Sequence, residues 1–313
     1  MPHLHLGINT CFAVKRWPEP EQWLTIVEQE LGLNCCQFSL DLVDPMLDEV
    51  ATASYANTVR TYAAARGIFL HSTFTGLAAY SWSQLLHPDE AMREAAMRWY
   101  ERAIDFTAHL GALGTGGHIG ALSVRDATND LRKQALIQEL RERLAALSRY
   151  AARQGLQFLM FENMAVSREW GHSIEEAYSL ISLLAGGGVP ILLCLDVGHP
   201  CALHTGTASD DYLAWLAHPW PHTPLIHLQQ TDRTGDHHCL LLQSTTARVS
   251  SAQKASSRPS NSGQMTSTST CSLSRFIHLR PVMPRCCSIC GRACNTGERR
   301  CGLINLYLIC CSV

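Results

Sequence analysis

The chain of 313 residues contains no apolar run approaching the roughly twenty residues of a membrane-spanning helix, so no membrane partner is expected. Its opening, MPHLHLGIN, lacks the basic-then-apolar pattern of a secretory signal, and the expected setting is cytoplasmic. No G-x-G-x-x-G turn follows an early strand, which argues against an open dinucleotide-binding sheet. Gly114, Gly116 and Gly117 run into His118 instead, a different arrangement. Acid all but vanishes near the end: residues 239–313 hold 9 Lys+Arg and a single acid, Glu298. Residues 1–238 hold 16 Lys+Arg and 26 Asp+Glu, a net of −10 with no basic stripe, which disfavours a nucleic-acid partner there. Of 14 cysteines, 9 follow residue 238, and in a cytoplasmic setting they do not form a disulfide framework.

What is present reads as an α/β chain. A hydrophobic share of 46% supports one large domain or two small ones. Across residues 1–230 a short apolar strand is followed, again and again, by an amphipathic helix. Strands are expected at His3–Cys11, Asn34–Asp41, Gly67–Phe74, Leu113–Ile119, Leu156–Glu162, Ile191–Asp196 and Pro224–Gln229. Helices are expected at Glu19–Leu31, Ala51–Arg66, Asp89–His109, Asn129–Arg153, Ser173–Leu184 and Asp210–Leu216. Ser173 with Glu176 forms a capping-box signature. Seven such steps of about 30 residues fit a (β/α)8 TIM barrel truncated after strand seven. The expected division is a barrel domain over 1–238 and an aberrant Ser/Arg/Cys-rich tail over 239–313.

Chemistry collects at the carboxyl ends of the strands, where such barrels place it. The stretch ILLCLDVGHP carries Asp196 and His199 just past five apolar residues. His71, His118, Glu162 and His227 mark other strand ends, and Asp232, Arg233, Asp236 and His238 fill the loop after the seventh. A lone imidazole such as His71 is ordinarily a satisfied core or mouth histidine. Glu162 differs, because an unpaired carboxylate buried after an apolar strand costs several kcal/mol and calls for a cation. Glu162, Asp196 and His227, on three separate strands, suit a divalent metal, Mn²⁺ or Mg²⁺ ahead of Zn²⁺. No cysteine stands at these ends, which argues against a thiolate site.

The run FEN at Glu162, the LDVGH with Asp196 and His199, and IHLQQTDR with His227 resemble the xylose-isomerase-like TIM-barrel superfamily. That group joins sugar and sugar-phosphate isomerases and epimerases to AP endonucleases of the endonuclease-IV type. LGINTCFAVKRWPEP and TDRTGDHH are similar, more particularly, to tetrulose-phosphate epimerases of erythritol breakdown. The resemblance implies that Glu162 is both metal ligand and acid/base, with Asp196 and His227 completing the shell. It further implies that His199, Arg233 and His118 contact the substrate, a small sugar or sugar phosphate, and that an eighth-strand Glu supplies the second proton carrier. His71, Asp236 and His238 are possible additional ligands. A homo-oligomer is compatible with this reading.

Elementary chemistry agrees with the resemblance. A proton next to a carbonyl leaves an enediolate whose charge a cation stabilises. Carboxylates on opposite faces of that carbon invert it. Arg233 offers a planar fork suited to phosphate.

Two other readings compete. An endonuclease-IV-type zinc phosphodiesterase would use His71, His118, Glu162, Asp196, His199, His227, Asp236 and His238 around three ions, but the acidic first part lacks a surface for DNA. A nucleic-acid-binding tail would use Cys287, Cys290, Cys294 and Cys301, whose spacings fit no standard zinc pattern. The composition switches within one residue of TDRTGDHH, as a shifted reading frame would produce, and the tail contains no strand ending in an acid. The chain as written is therefore expected to have open edges at strands one and seven, poor solubility and no activity.

Overall fold

The computed structural model describes residues 3–183, 186–222, 225–229, 231, 235–236 and 306–311. The seven expected strands all form: β1 (His3–Asn9), β2 (Cys35–Ser39), β3 (Phe69–Phe74), β4 (Gly114–Gly117), β5 (Phe158–Glu162), β6 (Ile191–Asp196) and β7 (Leu225–Leu228). Each is parallel to the next. Around them run α1 (Pro20–Thr25), α2 (Glu49–Ala65), α3 (Gly76–Tyr80), α4 (Glu90–Leu110), α5 (Val124–Ala127), α6 (Asp130–Arg153), α7 (Ile174–Ile181), α8 (His199–Leu203) and α9 (Tyr212–Ala217). The first expected helix changes character midway, from α1 into a π-helical turn over Ile26–Leu31 that ends at left-handed Gly32.

Local chemistry explains the helix starts. Asp89, Asn129 and Ser173 each accept a backbone N–H three residues on, at Met92, Arg132 and Glu176. The capping box is only half formed. The Glu176 carboxylate accepts from Gly171 N at 3.1 Å and pairs with His172 at 2.9 Å instead of reaching back to Ser173. Along α6, Leu136, Leu140, Leu144, Leu147 and Ala151 recur at three- and four-residue spacing and bury one face against the barrel.

The strand pleat sorts the core in two. Leu159, Phe161, Leu193 and Leu195 point outward into the large core under the helices. Their alternates Phe158, Met160 and Cys194 join Cys35, Phe74 and Leu225 in a small cluster inside the barrel. Glu162, Asp196 and His227 are the next residues up those inward rows, so two-residue periodicity delivers them to the mouth. β4 is nearly all glycine for a reason of space. Gly116 has φ 145°, and a side chain there would run into the Met160 carbonyl of β5.

Closure departs from expectation. Backbone residues Leu306–Cys311 form β8, antiparallel to both β1 and β7, and the sheet is a closed barrel. The expected open edges are therefore filled, by a strand (LYLICC) from within the tail. It contains no acid, so an eighth-strand Glu is indeed missing from this position. Cys36 and Cys194 are buried free thiols. Among the described residues, no helix is long and apolar enough to cross a membrane.

Candidate active site

At the mouth, Glu162, Asp196, His199 and His227 are each 3% exposed. Glu162 Oε1 lies 2.7 Å from His227 Nδ1, and its Oε2 lies 3.6 Å from His118 Nδ1. His118, just past β4, is pinned by its backbone: its N–H donates to Thr75 Oγ1 at 2.9 Å, and its carbonyl accepts from the Tyr100 hydroxyl. Phe74 stands edge-on to both imidazoles, 5.2 Å from His118 and 5.1 Å from His227. Burial pulls the His118 pKa down to about 4 against the pull of the Glu162 carboxylate, so its ring is neutral.

Asp196 is fixed from two sides. Its Oδ1 accepts from Gly198 N at 2.7 Å and His199 N at 3.3 Å. The Asn163 amide clamps its backbone, accepting from Asp196 N at 2.8 Å and donating to Asp196 O at 3.1 Å. His199 Nδ1 bonds the Asn163 carbonyl at 2.6 Å, which leaves Nε2 3.5 Å from Asp236 Oδ2. Burial alone would lower the His199 pKa, but the carboxylates of Asp196, Asp236 and Glu162 outweigh it and hold the ring well above its usual range.

The donor set fits a divalent cation. Ligand atoms of Glu162, Asp196 and His199 lie within 4.8 Å of one another, as do those of Glu162, Cys194 and His227. Glu162 belongs to both groups and joins them. Cys194 enters through its Sγ, 3.0 Å from His227 Nε2, and with no cation beside it burial pushes its thiol pKa well up. Buried carboxylate oxygen and imidazole nitrogen dominate the set, as for a hard or borderline divalent ion, and the Cys194 thiol stands beside them where the sequence reading expected no cysteine.

The other sequence-derived residues are distributed differently. His71 does not reach the mouth. β3 runs three residues beyond it to Phe74, with a register shift in its pairing to β2, and the His71 ring packs 5.4 Å from Phe158 at the start of β5. Burial, with His5 adding to it, lowers the His71 pKa to about 4. Asp236 meets His199 and accepts from Gln229 rather than joining Glu162. Asp232, Arg233 and His238 lie outside the described residues, as does the Cys287–Cys301 cluster.

Sequence reasoning missed Gln37, Asn163 and Glu169. Asn163 was readable as the last letter of FEN, whereas Glu169 sits in a loop with no period to betray it. Glu169 lines a cavity of about 380 Å³ with Glu162, His118, Tyr80 and Trp170. Its Oε2 and the Trp170 indole Nε1 are buried without a hydrogen-bond partner among the described residues. Burial pushes the Glu169 carboxyl up to about 7, with a hydrogen bond from Tyr80 working against it. The cavity is polar at its edges and opens onto the candidate ligands, as a small-molecule site should.

Comparison with known proteins converges on this architecture. The profile of the xylose isomerase-like TIM barrel matches residues 28–250. D-erythrulose 1-phosphate 3-epimerase of Brucella abortus (strain 2308) is 25% identical over 232 residues, covering 73% of this chain and 74% of that protein. A crystal structure from Rhodospirillum rubrum, of a protein designated a xylose isomerase, is 33% identical with a TM-score of 0.71, covering 75% of this chain and 80% of that one. A Thermus thermophilus protein soaked with zinc chloride, at 21% identity, TM-score 0.50 and coverage of 76% and 82%, shares the fold. The chain is thus an isomerase-type enzyme by descent, and it belongs to the xylose isomerase-like TIM-barrel family of sugar isomerases and epimerases.

Proposed function

We propose that this site is built for metal-dependent 3-epimerisation of a ketose phosphate of the tetrulose class, by proton abstraction next to the carbonyl. The observation that carries the proposal is the buried contact of Glu162 with His227 beside Asp196, at the mouth of a barrel whose curated relative is named for D-erythrulose 1-phosphate. A divalent ion held by Glu162, Asp196 and His227 would supply positive charge beside the substrate carbonyl.

The chain's own residues do the rest. Glu162 removes the proton from the carbon next to the carbonyl, and the bonding pair moves to form an enediolate. Glu169, its carboxyl raised to about 7, donates a hydrogen bond in its protonated form to a substrate oxygen in the shared cavity. The charged His199 ring, its Nδ1 committed to the Asn163 carbonyl, would turn its Nε2–H from Asp236 at 3.5 Å to a substrate hydroxyl. Arg233 is the phosphate partner in this reading. Inversion needs a second proton carrier on the opposite face, and β8 brings no acid to that position. This chain is therefore proposed to exchange the proton without efficient inversion.

The test uses the full chain with D-erythrulose 1-phosphate and Mg²⁺ in D₂O, read by NMR. Deuterium entering at C3, with little of the inverted sugar and no exchange by Glu162→Gln, is the expected result. No exchange by the wild type, or equal exchange by the variant, would overturn the assignment. Rapid inversion would overturn the claim that the second carrier is missing.

A further inference from the structure

Deep in the barrel, next to the site but outside its ligand set, a line of buried amides and hydroxyls crosses β1, β2 and β3. It starts at a group of fixed polarity. The backbone N–H of Cys11 can only donate, and it bonds Asn9 Oδ1 at 2.8 Å. That turns Asn9 Nδ2 outward as a donor, 2.9 Å from Gln37 Oε1. The Gln37 amide then places its own Nε2 3.2 Å from Ser72 Oγ. Asn9, Gln37 and Ser72 are buried, with Gln37 and Ser72 at 0% exposure, so no water competes to turn the amide over.

Gln37 Oε1 has a second neighbour, His227 Nε2, at 3.1 Å. A carbonyl oxygen accepts and never donates, so Nε2 must carry the hydrogen. The Cys194 thiol beside the same nitrogen is a weak partner in either direction and does not compete. Nδ1 faces Glu162 Oε1 at 2.7 Å, where it donates while no cation is bound and would turn its lone pair to a cation once one is. We infer that Gln37 is a positioning residue, whose amide, locked by Asn9 and Ser72, fixes His227 so that Nδ1 is presented beside Glu162 as the ligand nitrogen. The inference rests on the reading of Glu162 and His227 as metal ligands. Imidazole ligands commonly hand their other N–H to such an acceptor, and losing it costs about 10–100-fold in metal affinity.

Two measurements on the full chain test this. Calorimetric titration with Mn²⁺ should show binding by the wild type, none by His227→Ala, and about 10–100-fold weaker binding by Gln37→Leu. Gln37→Glu, which still accepts the Nε2–H, should recover most of the affinity. Equal affinity of wild type and Gln37→Leu would overturn the inference while leaving the metal reading intact. Absence of Mn²⁺ binding by the wild type would overturn both. Nitrogen-15 NMR of the Zn²⁺-loaded wild type needs no variant to fold. A protonated Nε2 and a metal-bound Nδ1 at His227 support the inference, and the reverse assignment overturns it.

Discussion

His71 and His227 are both buried imidazoles on barrel strands, yet their surroundings assign them opposite work. His227 stands between a carboxylate and an amide oxygen. His71 is packed against Phe158, bonds only sideways to Ser72 Oγ at 3.1 Å, and has its pKa lowered to about 4 by burial. The sign for stability follows. Below about pH 6.5 the unfolded chain takes up a proton at His71 that the folded chain refuses, so folding weakens as pH falls from 6.5 towards 4. Between pH 7 and pH 5, urea unfolding should show the wild type losing about 2 kcal/mol more than His71→Gln, while His118, lowered in the same way, weakens both. Glu162, Asp196 and His227 were legible in the sequence because each ends an apolar run with a polar group that needs a partner. Gln37 was not. It sits inside CCQFS, and no pattern there says whether its amide serves the sheet or the site. His71 is the packed core histidine that a lone imidazole ordinarily is, and its possible ligand role arose because a histidine near the end of GIFLHSTF gives no sign of how far the strand continues.

Among the elements, β4 limits how the site is assembled. The glycines of GTGG have no side chains to hold β5 off, so it closes in and His118 comes within 3.6 Å of Glu162. Gly116→Ala would force a methyl group into the Met160 carbonyl at a backbone angle of 145°, and a cost on the order of 3 kcal/mol is expected in thermal or chemical unfolding. The alternation of strand and helix was readable from periodicity, to within a few residues at most boundaries. The π turn over Ile26–Leu31 was not, because its apolar spacing reads equally well as α-helix. The cap at Ser173 was half readable. The motif announces the Ser bond, while the fate of Glu176 is decided by Gly171 and His172, which only the folded loop brings near.

At the scale of the whole molecule, the contrast between an acidic barrel and a basic end remains the main irregularity. The family profile runs to residue 250, twelve residues past the point where acids all but cease. We hold to the proposal that the sequence after residue 238 is read out of frame. Translating the neighbouring frames of the gene should reveal an apolar strand ending in Glu, and its absence from both frames would show the tail to be genuine. The backbone of β8 covers the edges of β1 and β7 that the sequence reading left open. Deleting residues 306–313 should expose both edges and raise light scattering on concentration relative to the full chain.

The direction of β8 has a further consequence, for repair. In the seven parallel strands a ligand comes from the carboxyl end, but β8 runs the other way, and its carboxyl end, Cys311, pairs with His3 at the opposite pole of the barrel. A carboxylate grafted there would be wasted. The register instead sets Tyr307 opposite His227. Tyr307→Glu therefore introduces an acid at the register position opposite His227, from a strand of reversed polarity. The variant should bind Mn²⁺ more tightly than the parent chain in a calorimetric titration, and equal affinity would show that this register delivers no acid to the site.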